Sequence, residues 1–179
     1  MSEPNSSGGL APGPLPGAWT VRRGRDAYLR ENGFSVDGYA ARWTPARLLG
    51  ISFRVPNTPR HRWAIQRHDL HHVATGYATD LTGEVEISAW ECRAGLAPLG
   101  LYTGAIVASL ALLGLLVAPR RTLRAWRASR GRSLFQSGDL AYDALLGLSV
   151  AELRRLLGVP EQGLAGRLRR PRTPDLRPE

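Results

Sequence analysis

A short stretch of this chain holds the residue types that bind metal ions in proteins. It reads His68-Asp-Leu-His-His72, and Glu84 follows after eleven further residues. Residues four apart lie one above the other on the same face of a helix, so His68 and His72 can direct two imidazole nitrogens at one point. Gly76 is predicted to end that helix and to let the next one fold back antiparallel, which would bring Glu84 towards the pair.

Two imidazoles and one carboxylate are a ligand set suited to Zn²⁺ or Fe²⁺, with positions left open for water or a substrate. We therefore predict a divalent metal site, with zinc as the first choice and iron as the alternative, built from His68, His72 and Glu84. Asp69 is predicted to be either a further ligand or the carboxylate that orients one of the histidines.

Simpler interpretations of these residues have to be weighed as well. Two histidines at helical spacing often form a half-exposed surface pair, and His71 is expected to be such a surface residue. Glu86 and Glu91 are expected to be solvated. Cys92, the single cysteine, is expected to pack as a small apolar residue. With one cysteine no disulfide can form within the chain, and a reducing compartment is the natural expectation.

A rival interpretation is that of a metalloprotease, because His-Asp-x-x-His is one methylene short of the His-Glu-x-x-His of zinc proteases. In those enzymes the glutamate is the general base and must reach a zinc-bound water. An aspartate is shorter, and the sequence shows no evident substrate-binding strand beside the motif. Proteolysis is therefore disfavoured.

The elements that must position these residues are predicted to be helices throughout, because no segment alternates apolar and polar residues for long. The expected fold is all-α: a single compact helical domain with a long apolar central helix. A first helix is predicted over residues 22–31. The stretch 34–55 is ambiguous, with a short helical turn expected at 44–49.

The two helices that carry the metal motif have clear terminal signals. Thr58 can cap the first one and Pro59 suits its first position. This helix should run to Ala74 and end at Gly76. Asp80 can cap the next helix, which is predicted to continue to about residue 93.

The most apolar helix is predicted from about residue 98 to 118, since residues 95–118 carry no charge. It is long enough to cross a bilayer, but it could equally be a buried central helix or line a lipid pocket. Gly100, Gly104 and Ala108 recur every four residues, a spacing that permits close helix packing or a homodimer. A true span would separate the metal motif from the basic helix that follows, so the buried or lipid-facing alternatives are favoured.

Two shorter helices are predicted after this apolar one. A basic helix follows Pro119 and is stopped by Gly131, and Ser149 with Glu152 forms a capping box for a last helix that ends at Gly158. The predicted domain covers residues 20–160. Residues 1–18 and the Arg/Pro-rich tail 163–179 are expected to be disordered.

The net charge is +9, and arginine provides every basic residue because the chain contains no lysine. An anionic membrane surface and nucleic acid are the usual partners of such a charge. The arginines cluster after residue 119 without the aromatic platform or recognition helix of a nucleic-acid-binding protein. A solvated helix face beside a membrane is therefore the preferred explanation, and no nucleic-acid partner is expected.

With these residues laid out, the chain resembles the family of ubiquinone (coenzyme Q) biosynthesis protein four. The hallmark of that family is His-Asp-x-x-His, eleven residues, then Glu, and His68, Asp69, His72 and Glu84 match it in type and spacing. The residues between 68 and 84 resemble the family as well, and so do the segments around Ala125 and at 153–158. The likeness covers about residues 25–159.

This resemblance implies an all-helical fold, a bound metal usually taken as zinc, and peripheral attachment to the membrane where quinones are made. The implied activity is the C1 decarboxylation of a prenylated hydroxybenzoate, a lyase reaction. The implied alternative is a non-catalytic scaffold that binds prenyl lipid and organises other quinone-biosynthesis enzymes. Because the chain shows no import sequence, the expected location is the cytoplasmic face of a bacterial inner membrane.

Overall fold

The computed structural model describes residues 14–48, 51–137 and 140–165. This part of the chain is mostly helical, so the expectation of an all-α fold is confirmed. The helices are α1 (Val21–Glu31), α2 (Pro59–Thr75), α3 (Leu81–Ala94), α4 (Gly100–Val117), α5 (Pro119–Ala128), α6 (Tyr142–Gly147) and α7 (Val150–Leu157). Short 3₁₀ turns cover Val36–Ala40 and Ala97–Leu99.

A β-hairpin, which the sequence analysis did not predict, lies between α1 and α2. Its antiparallel strands are β1 (Trp43–Leu48) and β2 (Ile51–Pro56), paired from Trp43 opposite Pro56 to Leu48 opposite Ile51. The helical turn expected at 44–49 is therefore wrong. The sequence around it disfavours a helix and favours strands. Pro45 lacks the amide hydrogen that a helix interior requires, and residues 51–55 alternate β-branched or aromatic residues with polar ones.

The ends of the two motif-bearing helices are as predicted. The Thr58 side chain accepts a hydrogen bond from the His61 amide at 3.1 Å, and Asp80 accepts one from the Gly83 amide at 2.7 Å. α2 ends at Gly76, whose φ of +76° lies in the left-handed region that glycine adopts without strain. These local signals fix where α2 stops and α3 starts.

The main hydrophobic core joins α2 and α3 to α7. Leu70 of α2 and Trp90 of α3 are fully buried in the same cluster as Leu153 of α7. α2 also packs against α1, and α3 packs against α4 and α5. The helices that carry the metal motif are thus the most internal elements of the described fold.

The folded domain extends beyond the predicted residues 20–160 at both ends. Residues 14–18 were expected to be disordered, but the Gly17 carbonyl accepts a hydrogen bond from the Ala151 amide at 2.9 Å and Leu15 packs on the core. In the predicted tail, the Leu164 amide donates to the Thr75 carbonyl at 2.7 Å. The rest of the two predicted disordered segments, residues 1–13 and 166–179, lies outside the described residues.

The apolar helix α4 packs one face on α3 and exposes the other. Leu101 is 92% exposed and Leu116 is 82% exposed, so the fully buried alternative does not describe this helix. Gly114 is the most closely packed of its glycines, since an added Cβ would meet Thr122 Oγ1 at 2.6 Å and the Cβ of Val85 at 2.8 Å. At Gly104, the position favoured by the sequence spacing, an added Cβ would make only ordinary contact, at 3.8 Å from Leu96.

Candidate metal centre

α2 and α3 bring three of the predicted ligands together. The Nε2 atoms of His68 and His72 lie 3.1 Å apart. One oxygen of Glu84 is 3.4 Å from His68 Nε2, and the other is 3.5 Å from His72 Nε2. The helical spacing of the histidines and the capped start of α3 therefore produce the convergence that the sequence predicted.

The separations between these atoms fit a tetrahedral metal site. Zn–N and Zn–O bonds of about 2.0–2.1 Å place neighbouring ligand atoms about 3.3 Å apart. The Nε2–Nε2 distance of 3.1 Å is close to that value, and so are the distances of 3.4 and 3.5 Å from the two nitrogens to different oxygens of Glu84. His68 and Glu84 are 22% and 28% exposed, whereas the His72 side chain is fully buried, so the cluster meets solvent on the His68–Glu84 side.

His72 presents the nitrogen that a metal requires. Its Nδ1 is 2.9 Å from the Tyr77 carbonyl oxygen, and because a carbonyl can only accept, Nδ1 must carry the hydrogen. Nε2 then has a free lone pair directed towards His68 and Glu84. Burial also lowers the pKa of His72 below its ordinary value, which favours the neutral ring that ligates metals.

Glu91 is the main functional residue that sequence reasoning missed. It was expected to be solvated, but it is fully buried, and its Oε1 lies 2.9 Å from His68 Nδ1 and 2.7 Å from His71 Nδ1. Burial would raise its pKa, but the adjacent His68 and His71 outweigh that effect and hold it at about 2. Glu91 is therefore an ionised carboxylate directly behind the candidate ligand His68.

His71 is not the half-exposed surface residue that was expected. It is fully buried between Trp90 and Phe135. Its Nε2 accepts a hydrogen bond from the Leu134 amide at 2.9 Å, so its Nδ1 must carry the hydrogen that it donates to Glu91. Burial lowers its pKa, in keeping with a neutral ring.

Asp69 is not part of the three-residue cluster. Its carboxylate accepts a hydrogen bond from the Tyr39 hydroxyl at 2.5 Å, and burial raises its pKa to about 6. The task of orienting a histidine, predicted as one alternative for Asp69, is carried out by Glu91 for His68 and by the Tyr77 carbonyl for His72. Asp69 as a direct ligand stays a prediction.

The protonation of His68 links the cluster to pH. Burial by itself would lower the pKa of this ring, but the carboxylates of Glu91 and Glu84 together raise it well above its ordinary value. For Glu84, burial by itself would raise the pKa, but the nearby His72 and His68 outweigh this effect and lower the pKa below its ordinary value. A metal ion would therefore compete with a proton at His68 Nε2 and find Glu84 already ionised.

Three further residues lie around the site: Tyr28, for which the sequence offered no expectation, Glu86 and Cys92. Tyr28 of α1 stacks on His72 with ring centroids 5.3 Å apart, a contact that no spacing within α1 could have predicted. Glu86, expected to be solvated, is buried and accepts two hydrogen bonds from Arg121 of α5, at 2.9 and 2.7 Å. Cys92 packs beside the small apolar cluster that contains Phe135, in keeping with the expectation.

No protein-family model matches this chain, and neither the search of curated proteins nor the search of solved structures finds a match. What the site can do is therefore inferred from its own residues. Two imidazoles whose Nε2 atoms face each other and one ionised carboxylate, open to solvent on one side, form a candidate centre for a divalent cation with room for a further ligand.

Proposed function

We propose that this protein binds a divalent metal, zinc in the first instance and iron as the alternative, through His68, His72 and Glu84 and acts on a prenylated hydroxybenzoate in quinone biosynthesis. The observation that carries the proposal is the convergence of ligand atoms from these three residues within 4.8 Å of one another, with the two Nε2 atoms 3.1 Å apart. The resemblance of the 68–84 motif to the ubiquinone biosynthesis family supplies the substrate class.

The proposed reaction is a decarboxylation at ring carbon C1. It would break the bond between C1 and the carboxyl carbon, release CO₂ and place a proton on C1. A bound divalent ion would supply Lewis acidity for holding the ring carboxylate or phenolate. Burial would keep His72 neutral, the Tyr77 carbonyl would hold its hydrogen on Nδ1, and Tyr28 would cover one side of its ring.

The surface formed by α4 and α5 supports a peripheral position on a membrane. Within the described residues, one helical segment, Ala97–Val117, is long and apolar enough to span a bilayer, and only 17% of its most apolar window is buried. Exposed arginines on α5 follow directly, at positions 120, 121, 124 and 127. An exposed apolar helix beside basic side chains suits an anionic membrane and an isoprenoid tail, and we propose the cytoplasmic face of a bacterial inner membrane.

The metal content of the purified protein tests the centre of this proposal. We expect about one zinc or iron per chain in the wild type and little or none in His72→Ala, because that substitution removes one of the three ligands. Elemental analysis of both proteins, with circular dichroism to verify that His72→Ala remains folded, makes the measurement. Equal metal content in the two folded proteins would exclude this site.

A second candidate function is a non-catalytic scaffold that binds prenyl lipid and organises other quinone-biosynthesis enzymes. The large exposed side chains of α4 favour it, since such a face could hold a lipid, a partner enzyme or a second copy of the chain. Turnover of a prenylated hydroxybenzoate with release of CO₂ supports the enzyme. Lipid retained through purification without any turnover supports the scaffold.

A further inference from the structure

The orientation of His68 depends on a residue outside the predicted motif. His68 is the more exposed of the two candidate histidine ligands, with 22% of its side chain accessible. Its Nδ1 is held by Glu91 Oε1 at 2.9 Å, on the side of the ring opposite the cluster. Glu91 lies seven residues after Glu84, two turns further along α3, so one helix provides both carboxylates.

We propose that Glu91 is the positioning residue of the metal centre: one buried oxygen accepts the Nδ1 hydrogens of both His68 and His71 and so directs His68 Nε2 towards the ion. This inference rests on the proposed metal site and not on the proposed reaction. It assigns Glu91 to the class of carboxylates that hold a ligating histidine and increase its basicity.

His71 fixes the position of that oxygen. The Leu134 amide can only donate, so it defines His71 Nε2 as an acceptor and Nδ1 as a donor to Glu91 at 2.7 Å. The segment containing Leu134, the helix α2 and the helix α3 are thereby joined at one carboxylate oxygen. A shift of Glu91 would break its hydrogen bonds to both His68 and His71, so this network restrains the orientation of the His68 ring.

The charges of the site point to the same role. Glu91 is fully buried, and among the described residues the basic nitrogens within 4 Å of its carboxylate belong to His68 and to the neutral His71. A buried carboxylate without a cation is costly. When the two histidine ligands, His68 and His72, are neutral, the negative charges of Glu84 and Glu91 together balance one divalent cation. The carboxylate that orients His68 therefore also completes the charge of an occupied site.

The substitution Glu91→Gln tests this role because it keeps an oxygen that can accept both hydrogen bonds but removes the charge. The matched control is Glu86→Gln, which removes another buried carboxylate from the same helix, one bound to Arg121 instead of a histidine. We expect the zinc dissociation constant, measured by competition with a chelator, to rise about 10- to 100-fold in Glu91→Gln. It should be unchanged in Glu86→Gln.

Equal zinc affinity in wild type and Glu91→Gln, or an equal loss in Glu86→Gln, would overturn the inference. If Glu91→Gln binds zinc normally while His72→Ala does not, Glu91 has no such role and the proposed site stands. If the wild type itself binds no zinc, both fail.

A measurement on the unmodified protein covers the case in which Glu91→Gln does not fold. In ¹⁵N-labelled wild type with zinc bound, NMR should show coordination through Nε2 of His68 and hydrogens retained on Nδ1 of both His68 and His71. Coordination through His68 Nδ1, or a His71 hydrogen on Nε2, would contradict the arrangement.

Discussion

The region formed by α2 and α3 and the region formed by α4 and α5 reverse the usual distribution of polar and apolar residues. In the first, His71 and Glu91 are completely buried. In the second, Leu101 and Leu116 are 92% and 82% exposed. The comparison shows that the composition of a helix does not by itself decide its burial. His71 and Glu91 find hydrogen-bond partners inside the protein, whereas no described residue covers the large apolar side chains of α4.

Under the proposed function, each region is completed by something that the chain does not supply. The carboxylates of Glu84 and the fully buried Glu91 would be balanced by a cation, and the outer face of α4 would be covered by lipid. α3 joins the two regions, since its Glu91 reaches His68 while its Glu86 binds Arg121 of α5. A position on the membrane would thus place the metal centre one helix layer away from the apolar surface.

The largest expected effect comes from making the same truncation in both regions. Leu70→Ala removes a fully buried side chain of α2, two residues from each candidate histidine, and should lower the free energy of unfolding by about 3 kcal/mol. Leu116→Ala removes an exposed side chain of α4 and should change it by less than about 0.5 kcal/mol. Urea denaturation measures both, and similar losses would mean that α4 is not exposed in solution.

Sequence reasoning predicted the parts of the fold that depend on nearby residues. The caps at Thr58 and Asp80 and the stop at Gly76 need no information beyond one helical turn. The hairpin was missed because its alternation covers only residues 51–55, too few to stand out among helical segments. The same short range explains why α4 was recognised as apolar while the choice between a buried and a lipid-facing helix stayed open.

The candidate site divides in the same way. His68, His72 and Glu84 could be predicted from spacing, because one helix face and one reversal of the chain bring them together. The role of Glu91 depends on the rotation of α3 against α2, and the burial of His71 depends on a segment 63 residues away. The seven-residue spacing from Glu84 to Glu91 was the available signal, since it places both carboxylates on one side of α3.

A smaller effect is expected at the boundary between the two regions, where α4 meets α3. In Gly114→Ala the new Cβ would stand 2.6 Å from Thr122 Oγ1 of α5 and 2.8 Å from the Cβ of Val85 of α3. α4 must therefore shift from both neighbours, and the free energy of unfolding should fall by about 1 to 3 kcal/mol. In Gly104→Ala the new Cβ would lie at an ordinary contact distance of 3.8 Å from Leu96, so the free energy of unfolding should rise by up to about 1 kcal/mol. Thermal denaturation of both variants measures the difference, and equal changes would place the close approach elsewhere.

The pKa values of the site determine how its occupancy responds to pH. The pKa of His68 is raised well above its ordinary value despite burial, because Glu91 and Glu84 favour the charged ring. Charged His68 therefore stabilises the metal-free fold fully below the unfolded pKa of about 6.5, and this contribution is lost as pH rises through the folded pKa. The pKa values of His71 and His72 are lowered instead, so these rings are neutral at pH 7.

The smallest expected signal follows from this difference between the rings. At pH 7 zinc binding should release about one proton per chain, from His68, because His72 is already neutral and Glu84 already ionised. Calorimetric titrations in buffers of different ionisation enthalpy count that proton, and the count should fall towards zero once the pH exceeds the folded pKa of His68. Release of two protons at pH 7 would mean that His72 is also charged, which its burial opposes.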